Sequence, residues 1–304
     1  MKRKSGLTMG IKDRAFSLFL ASPAVLMTAI FILLPVVDSV IKSFQAYKIK
    51  NIISGKPGVW NNFANYIKLL QNDKLPQAIL NTFLFVAVAV LLTFVLGMTL
   101  ALILSAGVKG HRIIQGVMMI PWVIPTVISA LIWMWLFQPQ YGLVRYLIDV
   151  FSSGRITDLA VLNNPGTALM GITVAALWKQ VPLMTLLLLA GLQNVPEELL
   201  EAATVDGANR LARFVHVTLP SMKSVIAIAV SMCIIENFKQ FPLFWTMTGG
   251  GPDGATTTLA ILSYREAFVS QNLGSGAAVT TVWMLLMIAV IFVYNKLMKK
   301  GEDA

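Results

Sequence analysis

Six apolar stretches divide this chain, near residues 16–37, 78–104, 113–138, 167–192, 224–245 and 276–295. Each reaches the roughly 20 residues that a helix needs to cross the hydrocarbon core of a bilayer. The runs are continuous rather than alternating. They therefore predict helices, whose backbone hydrogen bonds close within each segment, and not the strands of a membrane barrel. The expected fold is all-α and integral to the membrane: a six-helix transmembrane bundle over residues 16–298, with tails at 1–15 and 299–304. The first stretch follows a basic start, as a signal peptide would. Its apolar core is long, however, running from Phe16 to Val37 with Pro23 and Pro35 inside, so it reads as an uncleaved first span.

Later stretches also contain helix breakers: Pro121 and Pro125 in span three, Pro182 in span four and Pro242 near the end of span five. A proline inside a span frees a carbonyl and bends the helix. Kinks of this kind suit a bundle that rocks or opens, and they also occur in static membrane cores.

Between the spans, Val144, Leu147, Ile148 and Phe151 recur at helical spacing and predict a short helix, either interfacial or packed on the bundle. The run Thr248-Gly-Gly-Gly-Pro-Asp-Gly254 is a sharp break, after which Thr256 to Ser270 read as a helix along the membrane surface. The polar segment Glu197–Pro220 is different in kind. Pro196 suits a first helical position, and Glu197 and Glu198 complement the positive end of a helix dipole. Gly207 permits the positive φ at which that helix can end. Arg210, Leu211, Arg213, Phe214 and Val215 then form a second arm, which Pro220 stops. Such a helix pair either lies at the membrane interface or docks into a groove of a partner.

Composition supports the membrane reading. Hydrophobic residues make up 57% of the chain and charged residues 12%, against about 25% charged in soluble domains. The net charge of +10 could suggest nucleic acid, but the basic residues are not gathered on one soluble face, so no nucleic-acid partner is expected. Basic residues are about twice as dense on the side holding the N-terminus, residues 105–112, residues 193–223 and the C-terminus, and the positive-inside rule makes that side cytoplasmic. The opposite loop at 38–77 nonetheless carries Lys42, Lys48, Lys50, Lys56, Lys68 and Lys74.

Catalytic chemistry is sparse. With only His111, His216 and Cys233, neither a His/Cys metal set nor an internal disulfide can form. Cys233 reads as a packing residue. Gly249 to Thr256 approaches the phosphate-loop pattern, but Ala255 stands where the lysine belongs and no buried strand precedes it. The chain is therefore not expected to hydrolyse ATP.

Polar residues inside the spans carry the positive signal. Charge at the bilayer centre costs at least ~2.5 kcal/mol per residue on insertion scales, and it marks a water-filled cavity or an internal partner. Lys179 and Gln180 lie in span four; Glu236, Asn237, Lys239, Gln240 and Phe241 lie in span five. Helical spacing puts Glu236 with Gln240, and Asn237 with Phe241, on shared faces. One reading is an ion pair between Lys179 and Glu236 that fixes packing. The other is a path for a hydroxylated ligand, in which charged and amide groups meet hydroxyls while Trp178, Phe238, Phe241 and Trp245 stack on its C–H faces.

Glu201-Ala202-Ala203, Gly207 and Val217-x-Leu219-Pro220 resemble the "EAA" signature of the inner-membrane permeases of ABC importers, with valine at a position usually held by isoleucine. Several flanking runs resemble the carbohydrate-uptake members similar to the maltose and glycerol-phosphate systems. They are Pro121-Trp122, Phe137 to Leu143, Leu177-Trp178-Lys179 through Leu192-Gln193, Asp206-Gly207-Ala208 and Thr248 to Pro252. The resemblance implies the type I ABC importer permease bundle, with a cytoplasmic coupling helix between spans four and five in loop 193–223. Glu201, Ala202, Ala203, Asp206, Gly207, Leu219 and Pro220 would form the contact to a separate ATPase.

The implied partners are a cytoplasmic ATP-binding subunit dimer, an extracytoplasmic sugar-binding protein and a second, homologous permease subunit in a heterodimer. The chain would bind no cofactor itself, ATP being used by the partner. Its place would be a bacterial or archaeal cytoplasmic (inner) membrane, which it crosses several times with both termini cytoplasmic. The other function class compatible with Lys179, Glu236 and Lys239 is an ion-coupled secondary transporter or channel subunit, which leaves the Glu197–Pro220 loop without a purpose.

Overall fold

The computed structural model describes residues 11–152 and 160–300. Of the expected tails, residues 11–15 and 299–300 are helical, while residues 1–10 and 301–304 lie outside the described residues. Four helices are long and apolar enough to cross a membrane alone: Phe19–Ser43, Lys74–Ser105, Ala168–Gln193 and Leu273–Met298. Two more candidates are bent pairs, His111–Val123 with Thr126–Leu136 at 95° and Arg210–Ser221 with Lys223–Phe238 at 73°. Counting each pair as one span gives the expected six.

Local chemistry explains where the spans depart from the apolar runs. The first helix continues past Val37 to Ser43, and Asp38 and Lys42 pair at 2.5 Å on its added turn. Pro35, which has no N–H to donate, is preceded by the widened turn Ala29–Leu33. Span three does not run straight from 113 to 138. Ile124 and Pro125 are extended (ψ 132° and 138°); Ile124 is so because a residue before proline is pushed out of the helical region, and Pro125 follows as the N-cap of the next helix. Span five ends at Phe238 rather than 245. Pro242 cannot donate to a continuing ladder, so it opens a separate short helix, Pro242–Met247.

Spans two and four lie against each other along much of their length. Small buried residues permit this approach: Ala89, Gly97 and Ala101 on span two, and Ala175 and Ala176 on span four. Lipid offers little hydrophobic drive between helices, so close van der Waals packing at small residues carries the association. One core cluster gathers Phe85, Ala130, Ile172, Phe238, Leu243, Phe244 and Ile261, with Phe85 and Phe244 edge to face at 4.7 Å. A second, around Met98, Leu188, Met222 and Cys233, roots the polar loop through Val195, Leu200, Phe214 and Leu219.

The segments between spans are more ordered than their composition suggests. Residues 44–70 form a platform rather than an open loop. Gln45–Ala46 pairs antiparallel with Val59–Trp60, helices Ile49–Ile53 and Ala64–Leu70 flank the pair, and Phe44 packs on Trp60, Phe63 and Tyr66. Its link to span six is close: Gly274 N donates to Tyr47 O at 2.8 Å, and a β-carbon at Gly274 would collide with Gln45 O. The expected helix at Val144–Phe151 is present as Leu143–Ser152.

The helix expected along the membrane surface at 256–270 is instead embedded in protein. Leu259–Tyr264 and the wider turn Arg265–Val269 pack on spans two and six, with Leu259, Ile261 and Leu262 buried. The glycine-rich run before it is also tied down. Arg265 Nη2 donates to Gly249 O at 2.7 Å, Thr257 Oγ1 to Gly250 O at 2.9 Å, and Asn81 Nδ2 to Thr257 O at 3.0 Å.

Candidate functional site: an exposed hook and an intramembrane cavity

The polar loop between spans four and five is a hook of two short arms. Its first arm is the helix Glu197–Val205, with Pro196 one residue outside it at the N-cap rather than at the first helical position. Its end follows from the sequence. Gly207 takes φ +80°, which lets Gly207 N reach Thr204 O at 3.0 Å and Ala208 N reach Ala203 O at 2.9 Å. Those two bonds are the Schellman closure of a helix C-terminus, and they satisfy carbonyls that the helix leaves open.

Asn209 starts the second arm, its Oδ1 accepting from Ala212 N at 2.8 Å. The arm proceeds through Arg210–Arg213 and a wide turn at Phe214–Thr218 to Leu219–Ser221, and Pro220 sits at the start of this last turn. The bend into span five follows at Met222, so Pro220 precedes the break without making it. Arg213 Nη1 donates to Thr204 Oγ1 at 2.7 Å and joins the two arms, while that hydroxyl donates to Leu200 O at 2.7 Å. Neither Asn209 nor the Arg213–Thr204 clasp was among the residues singled out from sequence. The N-cap was readable from its asparagine before a short apolar-periodic run; the clasp, nine positions apart, was not. Glu201, Ala202, Asp206 and Gly207 are exposed, whereas Ala203 and Leu219 are half-buried. Glu197, Leu200, Glu201, Thr204, Val205 and Arg213 line an open groove along the hook.

The second site is a cavity of about 350 Å³ among spans two to five. Lys179, Gln180, Glu236 and Gln240 line it, together with Thr93, Trp122, Thr126 and Cys233. Three of the expected path residues stand elsewhere. Asn237 is buried behind the wall. Lys239 faces outward and pairs with Glu236 at 2.8 Å. Phe241 lies beyond the end of the span-five helix, stacked on Trp245 with centroids 5.7 Å apart and touching Tyr264.

The ion pair considered between Lys179 and Glu236 does not form. Glu236 has Lys239 within its own turn. Lys179 Nζ donates instead to Trp122 O at 3.2 Å and to Ile124 O. Gln180 pairs across the helix interface with Asn237: Asn237 Nδ2 reaches Gln180 Oε1 at 2.8 Å, and Gln180 Nε2 reaches Asn237 Oδ1 at 3.1 Å. Among the described residues no group of three or more His, Cys, Asp or Glu could hold a metal ion.

Broken apolar helices around a cavity that holds Lys179, Gln180, Glu236 and Gln240, carrying a structured polar hook, fit a multi-pass membrane transport subunit. Residues 93–301 match the family described as binding-protein-dependent transport system inner membrane component, and the chain belongs to that family. It is a permease subunit and not an enzyme. It is 34% identical over 301 residues to the trehalose/maltose transport system permease protein MalF of Thermococcus litoralis, covering 98% of this chain and 99% of that one. To the sn-glycerol-3-phosphate transport system permease protein UgpA of Yersinia pestis it is 30% identical over 282 residues, covering 92% and 93%. Its fold is similar to a chain of a bacterial ABC transporter that imports the acidic polysaccharide alginate. That match has TM-score 0.79 and 19% identity, and covers 95% of this chain and 97% of the other.

Proposed function

We propose that this chain forms half of the translocation pathway of an ATP-driven, binding-protein-dependent importer of a sugar or related glycoside. The observation that carries the reading is the hook. A polar element that spends a Schellman closure, an asparagine cap and an arginine clasp on holding its shape, while keeping Glu201, Ala202 and Asp206 exposed, has the properties of a docking surface. Rooted on the packing around spans four and five, it can pass a push from a cytoplasmic ATPase dimer to the walls of the cavity. The chain binds no cofactor of its own in this reading; ATP is bound and hydrolysed by that partner. The hook, the N-terminus and the C-terminus then face the cytoplasm.

Sugar as cargo is supported by the names of the relatives and by the cavity, which offers a carboxylate at Glu236, an amide at Gln240 and the indole of Trp122. An extracytoplasmic sugar-binding protein delivers the cargo, and a second homologous permease subunit completes the path. Vesicles holding this subunit with its co-purifying permease and ATPase partners test the reading. Sugar uptake should require ATP, the ATPase and the binding protein together. Uptake driven by an ion gradient with no ATPase present would overturn it.

A further inference from the structure

Lys179 is the one charged side chain of span four, and the structure uses it for something other than an ion pair. Its ammonium spans from that helix to the break in span three and meets two backbone carbonyls, those of Trp122 and Ile124. The break itself creates their need. The extended Ile124 and Pro125 carry the chain away from the helical path, so the amides of Thr126 and Ile128 do not reach back, and neither carbonyl receives a backbone donor among the described residues. Inside a membrane an unsatisfied carbonyl costs several kcal/mol, and broken helices persist only where another group supplies the missing bond. Lysine carries three donors on a flexible stem, and two are committed here.

We propose that Lys179 is a positioning residue: its ammonium clasps the carbonyl end of the first half of span three and thereby holds Trp122 in the cavity wall, leaving Trp122, Glu236 and Gln240 to meet the cargo. Trp122 and Thr126, on either side of the break, both line the cavity, so the angle of the break sets the shape of that wall. Gln180, the next residue, is tied in the same way to span five through Asn237. Two neighbouring side chains of span four thus fix the walls on both sides. The inference deepens the transport reading, and its test uses the empty permease without cargo or ATP, so the two can fail separately.

The experiment is hydrogen–deuterium exchange on the intact permease in lipid nanodiscs, comparing wild type, Lys179→Met and Lys179→Arg. Methionine keeps the unbranched stem up to the ε position but removes every donor; arginine keeps donors and charge. With the clasp gone, exchange across residues 119–129 should run about tenfold faster in Lys179→Met, while residues 84–104 of span two stay at the wild-type rate. Lys179→Arg should stay near wild type. Unchanged exchange in Lys179→Met, as expected if Lys179 serves only as a cargo ligand, overturns the proposal. So does equal opening in the methionine and arginine variants. Acceleration of all spans together also counts against it, because the clasp acts on one break.

Discussion

Asn237 and Gln180 exchange hydrogen bonds in both directions across the interface of spans five and four, at 2.8 and 3.1 Å. Asn237 is only 3% exposed, and its Nδ2 also donates to Cys233 O at 2.9 Å, within its own helix. The pair thus holds one amide behind the cavity wall and presents the other in it. Losing Gln180 leaves buried Asn237 with only its bonds to Cys233, and losing Asn237 frees the Gln180 amide into the cavity. Double-mutant cycles on interhelical hydrogen bonds in membranes average about 0.6 kcal/mol with a maximum near 1.7, so the coupling between Gln180→Leu and Asn237→Leu should fall in that range. Equilibrium unfolding of the two single variants and the double variant in mixed micelles measures it. Strictly additive single effects would remove the pair from the list of structural ties.

Much of this was legible in the sequence, and the boundary is physical. Spans two, four and six were readable because a long continuous apolar run has one good outcome in lipid, and span four stays a single helix through Pro182. The hook was readable because Gly207 and the acidic first turn are local signals, acting within a few residues of where they stand. The partners of Lys179 and Asn237 lie 55 to 57 positions away, and helical spacing says which face a residue shares but not what stands opposite. The same spacing put Phe241 on a helix that Pro242 had already ended. The platform at 44–70 was missed because its order comes from an aromatic cluster and from contact with span six, not from periodicity.

Gly207 offers a test in which sterics and backbone conformation separate. Nothing lies within 4 Å of where its β-carbon would be, so a substitution meets no neighbour, yet φ is +80°. Left-handed geometry costs an ordinary L-residue roughly 1–2 kcal/mol, and asparagine bears it best. Gly207→Asn should therefore keep most of the ATPase bound to purified permease, and Gly207→Val should lose most of it while remaining in the membrane. Equal retention by both variants would mean that the Schellman turn does not set the docking geometry.

The Arg213–Thr204 bond joins the two arms of the hook and lies outside the long helix Lys223–Phe238 of span five. Thr204→Val keeps the side-chain shape but removes the hydroxyl, and Arg213→Met removes the donor. Each should lower ATP-driven uptake several-fold with the thermal midpoint of the permease nearly unchanged, because a partly exposed hydrogen bond contributes only about 1 kcal/mol. Because the two changes break one bond, the double variant should be little worse than either single. Multiplying defects in uptake would point to separate roles.

Gly97 and Met184 bring the same logic to the bundle. A β-carbon at Gly97 would lie 2.6 Å from Met184 Cγ and 3.1 Å from its Cβ, so even alanine forces spans two and four apart or Met184 into another rotamer. Overpacking of this size costs roughly 1–3 kcal/mol. Met184 also lines the cavity, so the displaced side chain should narrow it. Gly97→Ala is expected to lower the thermal midpoint and slow uptake together. Met184→Ala in the same chain removes the Cγ that the new methyl meets at 2.6 Å, leaving only Cβ at 3.1 Å, and it should raise the midpoint of Gly97→Ala even though alone it leaves a gap and destabilises. That reversal of sign is the decisive reading, since general damage to the bundle predicts a double variant worse than either single. If the second substitution deepens the loss, the close approach at Gly97 is not what holds spans two and four at their distance.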